Sequence, residues 1–132
     1  MTIKLRWLDI ANHPVLVYEF NTGWKWEDFF VIKQRADALL ESSSVKIPLI
    51  FDFHRAPDMP PGMLKQTRHI AETRHLNGSP IIIIGASNVI YTTFNIVKRM
   101  IGNLPGKLTD DIKFLSNWDE VPEFLRPYVA RQ

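Results

Sequence analysis

The chain contains no cysteine. That absence excludes a disulfide scaffold, a zinc ribbon, an iron–sulfur centre and a thiol nucleophile, and it suits the cytoplasm. An excess of one charge is also missing. Sixteen Lys and Arg against 14 Asp and Glu leave a formal charge of +2 over 132 residues. This balance excludes a polybasic nucleic-acid binder and an acidic disordered tail. Long apolar runs are missing too. The longest aliphatic run, Ile81 to Ile84, falls far short of the ~20 residues a membrane span needs. Lys4 and Arg6 interrupt the N-terminal stretch where a signal peptide would carry its apolar segment. What is present is ordinary for a globular domain: 45% hydrophobic and 23% charged residues. The expectation is one cytoplasmic domain with no stable membrane insertion.

Periodicity places the elements. Ile3 to Leu8 alternates apolar and polar residues, and Val15 to Phe20 is rich in β-formers, with a turn signal at Asn12-His-Pro14 between them. The pair is expected to form an antiparallel hairpin. Glu27 and Asp28 open a helix over residues 26–42 with Phe29, Ile32, Ala36 and Leu39 at helical spacing. Pro48 to Phe53 is apolar on both faces, as in a central strand. A proline-rich loop leads to a polar, basic helix over residues 63–76, and Asn77-Gly-Ser-Pro80 ends it. Ile81 to Ile84 is a buried strand. Ser87 or Asn88 caps a helix over residues 89–101, with Ile90, Phe94, Val97 and Ile101 on one face. A loop from Asn103 to Asp110 precedes a last strand, Ile112 to Leu115. Asn117 and Glu120 have capping-box spacing ahead of a final short helix, with Pro122 in its first turn. The order β-β-α-β-α-β-α-β-α predicts an α/β fold: a mixed, mostly parallel five-stranded sheet with four helices and one antiparallel edge.

Three stretches carry a family resemblance: Val17 to Phe20 followed by Trp24 to Phe29, Leu49 to Phe53 with its Asp52, and Phe114 to Leu125. In these and in element order the chain resembles the STAS domains, the sulfate-transporter and anti-sigma-factor-antagonist group, and above all their divergent bacterial relatives. The resemblance implies a non-enzymatic regulatory or protein-interaction module. Family members carry an Asp-Ser or Asp-Thr pair before the second helix, where a kinase phosphorylates the hydroxyl. The matching loop here, Asp58-Met-Pro-Pro-Gly62, holds neither Ser nor Thr, and the nearest hydroxyl, Thr67, falls inside the helix. The phosphoswitch is therefore not expected to carry over, while a loop that presents a helix N-terminus to a partner is.

Candidate chemistry lies at the expected carboxyl edge of the sheet, where open α/β folds bind ligands. Asp52, His54, Asp58, Gly85 and Ser87 all fall near strand ends. An acid, a base and a hydroxyl would make a hydrolase with Ser87 as nucleophile. Gly85 to Val89, however, lacks the second glycine of a nucleophile elbow, and a capping Ser87 is the simpler role. The same residues would serve a small apolar or anionic ligand, an alternative strengthened by the apolar pockets of the related CRAL-TRIO lipid binders. His69 and His75 are six apart, which is not a metal-ligand spacing on a helix, so neither metal nor cofactor is expected. Lys65, Arg68 and Arg74 have no interleaved aromatics, which argues against nucleic acid. Trp24, Trp26 and Phe30 spread around a helix entry, and residues 89–101 carry more apolar positions than one stripe needs. Both point to a partner surface or a homodimer.

Overall fold

The computed structural model describes residues 2–101 and 112–130. It is an α/β fold with a five-stranded sheet in the order β1-β2-β3-β4-β5. Strands β1 (Ile3–Ile10) and β2 (His13–Asn21) pair antiparallel, and β3 (Ile47–Arg55), β4 (Gly78–Ile84) and β5 (Ile112–Leu115) continue in parallel. Helix α1 (Trp26–Glu41) links β2 to β3, α2 (Met63–Thr73) links β3 to β4, and α3 (Asn88–Ile101) precedes β5. A 3-10 turn at Trp118–Glu120 runs into α4 (Val121–Ala130). The expected loop from Asn103 to Asp110 and the side chain of Ile101 lie outside the described residues.

Each parallel step moves one place in the same direction, so right-handed crossovers put α1, α2 and α3 on one face. Phe29, Ile32, Ala36 and Leu40 of α1 pack there on Tyr18, Phe20, Leu49, Phe51, Phe53, Ile81 and Ile83. The rings form one connected stack, with Phe20 and Phe53 4.3 Å apart and nearly parallel. On the opposite face, Val15, Val17, Ile50, Ile82 and Ile84 meet Val121 and Leu125 of α4. Covered on both sides, the middle of β3 (Leu49 to Phe51) and of β4 (Ile81 to Ile84) is apolar on both faces.

Several boundaries differ from expectation for local reasons. The hairpin turns at Ala11 and Asn12, both in the left-handed region, and Ile10 pairs with His13. Pro14 therefore lies inside β2, facing Asp9, before pairing with β3 begins at Leu16. A missing N–H is tolerated at that position. Helix α2 stops at Thr73 rather than residue 76, because Arg74 is extended and its guanidinium donates to the Gly78 carbonyl at 2.8 Å. β4 then starts at Gly78, where a Cβ would lie 2.7 Å from Leu49 Cδ1. The capping pair is displaced by one: Asn117 accepts from the Asp119 amide, while Glu120 reaches back to the Ser116 amide.

Two measurements probe this fold. Ala11 holds φ 53, a conformation costly for any residue with a Cβ, so Ala11→Gly should stabilise the protein by roughly 0.5 kcal/mol in urea unfolding after the unfolded-state entropy of glycine is subtracted. Burial pushes the Tyr18 phenol far above its ordinary range, and the nearby Asp37 carboxylate adds to this. Tyr18 thus keeps its proton in the fold while the unfolded chain loses it. Its contribution is intact below pH 10 and lost as the pH climbs above that value, at up to about 1.4 kcal/mol per pH unit. Tyr18→Phe should flatten that alkaline decline.

Candidate functional site

Asp52 and His54 stand where β3 ends, and Gly85 and Ser87 where β4 ends. Asp52 shares the face of Ile50 and lies across the strands from Glu19 and Ile84. Two carboxylates side by side in a sheet repel. Arg6 draws Glu19 away at 3.1 Å, and Asp52 is held by donors on both oxygens. Its Oδ1 accepts from the His54 amide at 3.1 Å and from His54 Nδ1 at 2.8 Å. Its Oδ2 accepts from Trp118 Nε1 at 3.1 Å. A carboxylate only accepts, so Nδ1 carries the proton and Nε2 is left as the working edge of the imidazole.

His54 borders an open crevice of about 450 Å³ together with Gly85, Asn88, Tyr91, Phe114 and Ser116. Gly85 is required at this close approach. It holds φ +71, and a Cβ there would sit 3.0 Å from both the His54 ring and the His54 backbone nitrogen. The N-terminus of α3 opens beside the same crevice, adding partial positive charge. The chemistry this arrangement supports is a single oriented imidazole next to a helix N-terminus: an acceptor when neutral and an anion partner when protonated.

Other expected residues do not join it. Ser87 is the cap of α3: its Oγ accepts from the Ile90 amide at 3.3 Å and its carbonyl from the Tyr91 amide at 2.9 Å. Among the described residues no hydrogen bond connects Ser87 to His54, so the nucleophile–base contact of a triad is not formed. Asp58 is exposed in the β3–α2 loop and does not line the crevice. Trp24 is only 4% exposed and belongs to the aromatic core, which corrects its expected place on a partner surface. Trp26 is half-buried and donates through Nε1 to the Pro61 carbonyl at 2.9 Å, pinning the β3–α2 loop. Phe30 is half-buried and packs edge-on against His69. His75 bonds Glu41 at 2.8 Å. Among the described residues no three His, Asp or Glu side chains converge as a metal would need.

Sequence reading missed Trp118, Asn88 and Ser116 as members of this edge. Trp118 had a visible signal, since it lies just past the last strand within an acidic cap, but its partner Asp52 is 66 residues away. Asp52→Ala would strand the Trp118 N–H and release His54. It should cost about 1–3 kcal/mol in urea unfolding and broaden the His54 ring signals in NMR, whereas Ser87→Ala should cost about 1 kcal/mol through the lost cap alone.

The chain matches no family model, and no curated protein matches it.

Proposed function

We propose that this protein is a non-enzymatic regulatory module of the STAS-like kind that acts by protein contact, with a second copy of itself as the first partner. One observation carries the reading: α3 turns an apolar stripe outward. Val89 is 65% exposed, Met100 49% and Ile96 39%. These positions recur at helical spacing, about a quarter-turn round the helix from the buried Ile90 and Val97. Helix α3 packs beside α2 through Val97 and Ala71, and Leu64 of α2 adds another exposed apolar side chain. Isolated apolar residues are normal on a surface, but an aligned set on adjacent helices marks an interface. An isologous dimer uses one such patch twice.

The other features agree with this reading. The β3–α2 loop is held in one shape by Trp26 but offers no hydroxyl from Asp58 to Gly62, so a contact there needs no phosphorylation cycle. Ser87 caps α3 and among the described residues makes no hydrogen bond to His54, which weighs against the hydrolase alternative. A second reading, a small anion in the crevice at His54, draws on the imidazole that Asp52 orients.

Native mass spectrometry separates the two, because one spectrum reports stoichiometry and any retained small molecule. The expected result is a dimer at micromolar concentration. The double substitution Ile96→Glu with Met100→Glu should weaken it at least tenfold in sedimentation experiments, since it desolvates two charges in an apolar contact, and should leave the circular dichroism unchanged. A wild-type chain that stays monomeric at high micromolar concentration overturns the dimer.

A further inference from the structure

A second cavity lies under α2 and α3 and shares only Tyr91 and Phe114 with the crevice at His54. It has a volume of about 240 Å³. Its floor is the sheet itself, at Phe51, Ile81 and Phe114, and Phe94 of α3 forms a wall. The floor is not sealed. Phe51 and Ile81 stay 6% exposed although they lie on central strands under three helices, whereas Ile50 and Ile82 on the other face are at 0%. A slot that reaches the sheet accounts for the difference.

The lining is not uniformly apolar. Thr67 of α2 is 2% exposed, and its hydroxyl has no hydrogen-bond partner. A helical Thr usually bonds the carbonyl one turn back, and a buried hydroxyl left unpaired is disfavoured. That oxygen is buried and is not reached from the slot. Arg74 and Lys98 border the same cavity. They sit towards the C-terminal ends of α2 and α3, which lie together beneath the amino ends of the strands. Tyr91 borders the other end. Seven residues of α3 separate Tyr91 from Lys98, about 10 Å of helix rise. The slot is therefore polar and cationic at one end and aromatic at the other.

The geometry points to a binding site for a medium-chain monocarboxylate, with its head at Arg74 and Lys98 and its chain between Phe94 and the sheet. The size follows from the volume. A dry cavity of ~150 Å³ takes benzene, so 240 Å³ takes about ten non-hydrogen atoms, the count in octanoate. The cation pair selects a carboxylate over a neutral or cationic amphiphile of equal length. This inference is independent of the dimer proposed above, because its residues lie between the helices and the sheet and not on the outward stripe.

The test is calorimetric titration of the full chain with octanoate, octanol and octylammonium, followed by amide NMR. Octanoate should bind at least tenfold more tightly than octanol, and octylammonium should not bind. Affinity should peak near eight carbons and fall for hexadecanoate, which the volume cannot hold, so a vesicle or long-chain lipid source predicts the reverse order. Lys98→Gln, at an exposed position that leaves the fold intact, should lower octanoate affinity about tenfold without changing octanol. Shifts should centre on Phe94, Val97 and Lys98. Absence of octanoate binding, equal binding of octanol, or shifts confined to His54 and Gly85 overturns the site. A monomeric protein that still binds octanoate removes the dimer and leaves this site standing.

Discussion

Four of the five strands lie side by side in chain order with parallel direction, and the handedness of their connections then admits one arrangement. Every crossover turns the same way, so α1, α2 and α3 crowd one face and, among the described residues, α4 alone reaches the other. The consequences are unequal. The crowded face holds the aromatic stack from Tyr18 to Phe53, sealed by α1. The thinly covered face depends on a single helix entering at the correct angle. That entry is set by the 3-10 turn at Trp118–Glu120, whose indole reaches Asp52.

Asp52 is thus the point where the two layers meet, and its roles are hard to separate. The carboxylate that anchors Trp118 on one oxygen orients His54 on the other. A buried-edge acid with three donors is well solvated by the protein itself, which is why it persists at the end of an otherwise apolar strand. The same bonds engage His54 Nδ1, and the ring borders the crevice. Gly85 then supplies what no other residue would: a left-handed turn without a Cβ, tight against the ring. Stability and exposure of a reactive edge arise here from one side chain.

The element order and the assignment of faces were legible because they rest on local periodicity: the double-sided apolar pattern at Leu49 to Phe53 and Ile81 to Ile84 could only be a central pair of strands. Asp52, His54 and Gly85 were legible as strand-end residues for the same reason. Trp24 was not. Its neighbours Lys25 and Glu27 are exposed, and nothing in the spacing shows that the chain folds the indole back onto Phe20 at 4.9 Å before the helix begins. The early end of α2 was hidden as well, since Arg74 is a good helix former and its bond to the Gly78 carbonyl leaves no trace in the local pattern. Trp118 was out of reach for a third reason: its partner is far away in sequence, and pairwise contacts of that span leave no periodic trace.

Helix α3 shows how an excess of apolar residues is divided once the fold is known. One side, Ile90 and Val97, packs against the sheet and α2. A second, Tyr91 and Phe94, leans on Phe114 of the edge strand, with rings 4.9 and 5.6 Å apart. The third, Val89, Ile96 and Met100, is exposed among the described residues. A helix needs only the first side to be anchored. The second side does not close fully on the sheet, because β5 is only four residues long at the end of the order, and the gap it leaves is the slot beneath Phe94. The outward stripe and the inner cavity therefore share an origin: α3 is more apolar than a short edge strand and one neighbouring helix can cover.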